Sequence, residues 1–108
     1  MPISHAALMT VKELNNLLKA GHEIHLLDVR TDNERNVSHI GGIWIPLAEL
    51  PARFHELDSD CEWIVYCRSG ARSQQAADFL EEQGFKAKNL KGGMQAWHHE
   101  IDPTLVVA

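Results

Sequence analysis

Apolar residues gather in short runs along this chain, separated by polar or glycine-containing stretches. The runs at 24–29 and 63–66 are too short for helices and too continuous for half-exposed strands, so they predict strands buried on both faces, as in a parallel sheet. A weaker strand is predicted at 86–90. Another short strand is predicted at 43–46, where Pro46 would end it.

Helical spacing appears in three places. Thr10 and Glu13 form a predicted capping box ahead of a leucine stripe, and Gly21 follows the last turn, so a helix is expected over 11–20. A second helix is expected over 73–83, with Gly84 and Phe85 supplying its C-terminal stop. A last helix is expected after the glycine pair at 92–93.

The alternation of strands and helices predicts a parallel α/β sheet, in which ligands bind beyond the carboxyl ends of the strands. Cys67 lies at such an end, directly after the predicted strand 63–66. The final residues, 104–108, could dock in an extended form or fray, and the pattern favours neither.

Composition narrows the class of protein. The chain has 108 residues, 44% hydrophobic and 23% charged, which predicts a single globular domain over 1–108 with one core. No run approaches a membrane span and the start has no signal-peptide pattern, so a soluble cytoplasmic protein is expected. The formal charge of −5, with scattered Lys and Arg, argues against nucleic-acid binding.

The segment Tyr66-Cys67-Arg68-Ser69-Gly70-Ala71-Arg72-Ser73 departs from that acidic balance. No proline stands between 68 and 72, so five backbone N–H groups are available to surround the sulfur, and Gly70 permits the curl. The following helix end and two arginines add positive charge. A free thiol is only about 3% ionised at pH 7, so this setting predicts that Cys67 is an activated nucleophile with a lowered pKa.

The spacing of the loop restricts its chemistry. Four residues separate Cys67 from Arg72, whereas the protein tyrosine phosphatase signature has five and usually a histidine before the cysteine, where Tyr66 stands here. The shorter loop suits one extra sulfur atom on the cysteine better than a tetrahedral phosphate.

Four blocks of this sequence occur in the order typical of one known family. They are Leu27-Asp28-Val29-Arg30, His39-Ile40-Gly41-Gly42-Ile43, Tyr66 to Ser73, and Leu90-Lys91-Gly92-Gly93-Met94-Gln95-Ala96-Trp97. The chain thus resembles a rhodanese, a thiosulfate sulfurtransferase of the small single-domain bacterial type, over roughly residues 8–100. Ile43 departs from the family's usual alanine, at a position expected to lie in the core.

The resemblance implies a rhodanese-like α/β fold, with five mostly parallel strands flanked by helices on both faces. It also implies that Cys67 carries a persulfide, taking sulfane sulfur from thiosulfate or a similar donor and passing it to cyanide or a thiol. No cofactor or metal is implied. The residues expected to bind the donor are Arg68, Ser69, Gly70, Ala71, Arg72 and Ser73, and the two arginines favour a thiosulfate-like anion.

Other polar residues receive more ordinary interpretations. Asp28 and Arg30 either reach the pocket or brace neighbouring loops, and bracing is favoured. Cys61 is expected to be structural, and His39 to hydrogen-bond a loop. Glu34 and Arg35 look like solvated helix charges.

Two further functions remain open. The same loop would serve a sulfur carrier that hands its persulfide to a partner protein, with thiosulfate turnover incidental. An arsenate reductase or phosphatase is disfavoured by the four-residue spacing. A small anionic donor, a thiol or cyanide acceptor and a possible protein acceptor are therefore the expected partners.

Overall fold

A five-stranded sheet forms the centre of the computed structural model, which describes residues 6–108. Its strands, β1 to β5 in chain order, are Ala7–Met9, His25–Asp28, Ile43–Trp44, Glu62–Tyr66 and Lys86–Leu90. The strand order is β1-β5-β4-β2-β3, and all four pairings are parallel. The α/β fold expected from the sequence is therefore present, with a wholly parallel sheet in place of a mostly parallel one.

Helices cover both faces of this sheet. The helices α1 to α5 are Val11–Lys19, Asp32–Val37, Leu50–Arg53, Ala71–Glu82 and Gly93–Glu100, and short 3-10 turns flank α3 at Leu47–Glu49 and Phe54–Glu56. None of the helices between residues 6 and 108 is long and apolar enough to cross a membrane.

Side chains of successive strand residues alternate between two hydrophobic clusters. Leu27 and Val65 pair across β2 and β4 and enter the cluster that packs under α3 and α4. Leu26 and Ile64 also pair, but they face the opposite cluster, with α1 and α5. Both faces of the central strands are thus buried, which explains why their sequences are nearly continuous apolar runs.

The ends of α1 and α4 follow local sequence rules. Thr10 caps α1 and Glu13 completes the capping box, as predicted. The start predicted at residue 73 for α4 is wrong by two residues, because Gly70, at φ +102°, serves as its N-cap. At the other end, Phe85 N–H donates to the Leu80 carbonyl at 3.0 Å, which gives the predicted Schellman stop.

Three elements lack a clear signal in the hydrophobic pattern. The strand β1 is short and obtains its hydrogen bonds from β5, far along the chain. The helix α2 contains no buried residue and so has no apolar stripe. The one-turn helix α3 contributes a single fully buried side chain, Leu50.

The C-terminal segment docks on the domain, which decides the question left open by the sequence. Residues 101–108 form no helix or strand, yet Leu105 and Val107 pack against the cluster beneath α1 and α5. The buried guanidinium of Arg30 donates to the Ala108 carbonyl at 2.6 Å, and the Ser38 hydroxyl donates to the Val106 carbonyl.

Candidate active site

Cys67 lies immediately after β4, at the carboxyl end of the central part of the sheet. Its side chain is fully buried, and residues 68–70 connect it to α4. The carboxyl end of the adjacent strand β2 brings Asp28 level with Tyr66, the residue before Cys67. The chain therefore places its cysteine where parallel α/β sheets bind ligands, as expected.

The N-terminus of α5 holds the backbone of this loop. Met94 N–H donates to the Cys67 carbonyl and Gln95 N–H donates to the Arg68 carbonyl, both at 3.0 Å. Gly93 makes the approach possible, because a Cβ atom there would lie 2.2 Å from the Cys67 carbonyl oxygen. The glycine pair at 92–93 is therefore needed for close contact between backbones as well as for a turn.

Three hydrogen bonds converge on the Cys67 sulfur. Gly70 N–H lies 3.1 Å from Sγ, Ser73 N–H lies 3.4 Å away, and the Ser73 hydroxyl lies 3.2 Å away. Gly70 reaches this position through its positive φ, which a glycine adopts without strain. The loop therefore surrounds the sulfur with donors.

Opposing effects set the pKa of Cys67. Burial raises it, but hydrogen bonds from the Ser73 hydroxyl and from the N–H groups of Ser73, Gly70 and Ser69 outweigh burial, so the pKa lies below its ordinary value. The direction agrees with the sequence prediction. The leading causes of the lowering are hydrogen bonds, whereas the sequence prediction attributed it to the arginines and the helix end.

Asn89 on β5 contacts both Ser73 and Gly70, the residues whose groups donate to the sulfur. It was not identified by the sequence analysis. It is 3% exposed; its Oδ1 accepts a hydrogen bond from the Ser73 hydroxyl at 2.6 Å, and its Nδ2 donates to the Gly70 carbonyl at 3.0 Å. A polar residue in a buried strand at the same sheet edge as Cys67 is the signal that could have identified it.

The two arginines of the loop have different surroundings. Arg72 forms a bidentate ion pair with Glu34 of α2, with N–O distances of 2.6 and 2.7 Å. Arg68 is exposed, and across residues 6–108 its guanidinium has no hydrogen-bond or ion-pair partner. The interpretation of Glu34 as a solvated helix charge is wrong, because its carboxylate binds a residue of the loop.

Asp28 and Arg30 form a fully buried ion pair beside the site. Two guanidinium nitrogens of Arg30 donate to the Asp28 carboxylate at 2.8 and 2.9 Å, and another contact reaches the Ser38 carbonyl at 2.7 Å. Arg35 adds a contact to Asp28 at 3.3 Å and donates to the Gly42 carbonyl at 3.0 Å, so it too is not simply solvated. These contacts fit the bracing interpretation, since they connect the end of β2 to the loop before β3 and to the C-terminal segment.

The remaining candidates lie outside this cluster of donors. Gly41 N–H donates to His39 Nδ1 at 2.9 Å, as expected for a loop histidine. Burial raises the pKa of the Cys61 thiol, and neither cysteine is in a disulfide. Within the described part of the chain, no group of three or more His, Cys, Asp or Glu side chains could hold a metal ion.

Comparison with known proteins connects this site to one family. The family model for the rhodanese-like domain matches residues 10–100. A protein from Bacillus subtilis (strain 168), named a candidate sulfurtransferase, YtwF, is 38% identical over 88% of this chain and 98% of its own length. A second protein of that strain, named a candidate sulfur carrier, YrkF, is 34% identical over 82% of this chain and 49% of its own length.

A solved structure also superposes on the fold. The crystal structure of a rhodanese-like domain protein from Staphylococcus aureus matches with a TM-score of 0.82 and 29% sequence identity, covering 94% of this chain and 98% of that protein. The likeness therefore extends over nearly the whole fold.

Proposed function

This chain belongs to the rhodanese-like domain family, and from that premise we propose that it transfers sulfane sulfur through a persulfide on Cys67. Its relatives support sulfur transfer as the general activity. The observation that carries the finer proposal is the buried Cys67 thiol, whose sulfur has three hydrogen-bond donors within 3.4 Å and whose pKa is lowered.

The first half-reaction takes sulfur from a donor such as thiosulfate. The Cys67 thiolate attacks the outer, sulfane sulfur of the donor, and a new S–S bond forms as the donor's own S–S bond breaks. Sulfite leaves with the bonding electron pair, and the persulfide keeps the negative charge on its terminal sulfur. A thiol that is already ionised needs no general base, so the absence of a paired histidine in the sequence pattern is no obstacle.

The second half-reaction returns Cys67 to its starting state. A nucleophilic acceptor, either cyanide or a thiolate, attacks the terminal sulfur, and the Cys67 thiolate leaves with the electrons of the S–S bond. The products are thiocyanate or a persulfide of the acceptor. The N–H groups and the hydroxyl around Cys67 stabilise the anionic sulfur at each stage because they are fixed before it forms.

The other loop residues have supporting roles in this proposal. Backbone groups of Ser69, Gly70, Ala71 and Ser73 form the anion cradle. Arg68 and Arg72 stand at its rim, where Arg68 supplies positive charge and Arg72 is paired with Glu34. Asp28 and Arg30 hold the neighbouring loop in place and do not contact the donor.

Intact-mass spectrometry before and after treatment with thiosulfate tests the proposal. We expect a gain of one sulfur, about 32 Da, that is removed by cyanide with formation of thiocyanate. The gain should be absent in Cys67→Ser and retained in Cys61→Ser, which serves as the matched cysteine control. A wild-type protein that takes no sulfur from thiosulfate or from any other sulfane donor would refute the persulfide route.

A carrier is the second candidate, favoured by the similarity to a protein named as a sulfur carrier. A carrier would keep its persulfide when cyanide or a small thiol is supplied. An enzyme would transfer the terminal sulfur to that acceptor in the second half-reaction. The decay of the loaded Cys67 persulfide in millimolar cyanide, followed by mass spectrometry, distinguishes the two.

A further inference from the structure

The ion pair between Arg72 and Glu34 joins the loop of Cys67 to a separate helix. Both terminal guanidinium nitrogens of Arg72 donate to the Glu34 carboxylate, and each carboxylate oxygen accepts one of these hydrogen bonds. Such a bidentate pair fixes the plane of the guanidinium and uses its two terminal nitrogens. The pair uses two of the five guanidinium N–H groups. Its main effect is that the fixed carboxylate offsets the positive charge that Arg72 would otherwise present to a substrate anion.

Glu34 is itself held in place by α2. Its Oε1 accepts hydrogen bonds from the N–H and hydroxyl groups of Thr31, both at 3.0 Å, as the third helical residue of a capping box. Arg72 and Thr31 hold the pKa of Glu34 at about 2, so the carboxylate stays charged at neutral pH. The negative partner of Arg72 is therefore both fixed and permanent.

Arg72 also occupies an unusual position for a cation. It is the second residue of α4, where the positive end of the helix dipole disfavours a guanidinium. The Glu34 carboxylate offsets that cost, and the pair as a whole adds no net charge to the rim of the site. The guanidinium of Arg68 has no such partner within residues 6–108.

We propose that Glu34 is a positioning residue that withholds Arg72 from the sulfur donor, so that Arg68 alone recognises the donor's anionic end. This inference rests on the proposed function of the loop and assigns the donor-recognising charge to one of its two arginines. The site then suits a sulfane donor whose anionic end is met by one guanidinium together with backbone N–H groups.

Sulfate is the probe that tests this assignment without any sulfur transfer. It is an unreactive oxyanion related to thiosulfate, and its binding at the loop slows alkylation of Cys67 by the neutral reagent iodoacetamide. The sulfate Kd is taken from the concentration that halves each variant's own alkylation rate, at low ionic strength because screening weakens such contacts. The readout stays valid even if thiosulfate proves not to be a donor.

Four variants are expected to differ in how tightly they bind sulfate. Arg68→Gln should weaken sulfate binding by about tenfold or more, the loss expected for a charged hydrogen bond. Glu34→Gln should tighten binding several-fold, because it frees Arg72. Arg72→Gln should weaken binding, because it leaves the Glu34 charge unpaired. The double variant Glu34→Gln with Arg72→Gln should return to within about twofold of wild type, since it removes a pair that has no net charge.

Glu13→Gln is the matched control, because Glu13 completes the same capping box on α1 and contacts Thr10 instead of an arginine. Glutamine serves in capping boxes, so both helices should persist in their variants, as checked by circular dichroism. Should either single variant of the pair fail to fold, Arg68→Gln and the double variant still decide the question.

Three results would overturn the inference. The first is a double variant that binds sulfate about tenfold or more weakly than wild type, which would make Arg72 a direct ligand of the anion. The second is an Arg68→Gln variant that binds sulfate as tightly as wild type, and the third is a wild-type protein that sulfate does not protect at any concentration. Any of them can occur while Cys67 still forms a persulfide, so this inference and the proposed function fail separately.

Discussion

Ser73 connects the Cys67 sulfur to the interior of the protein. Its hydroxyl lies 3.2 Å from Cys67 Sγ and 2.6 Å from Asn89 Oδ1. One hydroxyl proton cannot be donated to both acceptors at once. Asn89 cannot turn to offer its Nδ2 instead, because that group donates to the Gly70 carbonyl. The thiolate and Asn89 therefore compete for the same proton.

The first prediction concerns this hydroxyl. Ser73→Ala removes the hydroxyl donor that lowers the pKa of the Cys67 thiol, so the pKa should rise and the alkylation rate at pH 7 should fall by at least about threefold. The pH profile of iodoacetamide alkylation measures both changes.

Ser69→Ala is the comparison for that measurement, because it keeps the backbone N–H that acts on the sulfur while it loses its own hydroxyl. It should shift the profile less than Ser73→Ala. Equal shifts would mean that the Ser73 hydroxyl has no special part in ionising Cys67.

Residue-level prediction was correct for geometry that is local to the chain. The placement of Cys67 and Gly70 depends on neighbours in sequence, and the structure gives them the environment expected. Glu34 and Asn89 come from α2 and β5, and their contacts with the loop arise only when the chain folds. No spacing rule within one segment could have paired Glu34 with Arg72.

The junction between α5 and the Cys67 loop is the most constrained contact between elements. The first residue of α5, Gly93, has φ +51° and lies against the Cys67 carbonyl. The contact brings the N-terminus of α5 close enough to donate to two carbonyls of the loop. Any side chain at this position would separate them.

The second prediction tests that junction. Gly93→Ala should destabilise the fold by about 2–4 kcal/mol, because the overlap of the new Cβ with a backbone oxygen adds to the strain of a positive φ. Urea unfolding measures the loss, and Cys67 alkylation reports whether the loop has shifted.

Gly84→Ala separates this overlap from simple backbone strain. Gly84 has φ +89°, yet a Cβ there would meet nothing within 4 Å. It should therefore cost only the strain of a positive φ, about 1 kcal/mol. If the two variants were equally stable, steric contact at Gly93 would be unimportant.

A capping box led to a predicted helix only where a stripe of apolar residues followed it. Thr31 and Glu34 form a capping box of the same kind as Thr10 and Glu13, and both helices are present. The stripe after Thr10 marked α1, whereas α2 has no buried residue and passed unnoticed. The strand β1 could not be found locally because its partner, β5, lies near the other end of the sequence.

At the scale of the whole molecule, the C-terminal segment closes one side of the core. Leu105 and Val107 pack against the cluster under α1 and α5, while Val106 between them is 60% exposed. The segment also supplies a carbonyl to the buried Arg30 guanidinium. Apolar packing and a hydrogen bond therefore both hold the segment on the domain.

The third prediction compares a packed residue of this segment with its exposed neighbour. Val107→Ser should lower the free energy of unfolding by about 1 kcal/mol, because it takes a partly buried side chain out of the cluster. Val106→Ser, one residue away and exposed, should change it by less than about 0.5 kcal/mol. Urea denaturation of both variants provides the measurement, and a larger loss for Val106→Ser would contradict the packing described.

The wholly parallel sheet has a consequence for the order in which the protein folds. Ala7 on β1 pairs with Lys88 on β5, so one edge of the sheet closes only after nearly the whole chain is available. Contacts between such distant residues slow folding, because a large loop must be ordered before they form. The helix that holds the Cys67 loop, α5, follows β5. During synthesis on the ribosome, Cys67 therefore emerges before β5 and α5, the two elements that hold its loop, and the loop takes its final geometry late in folding.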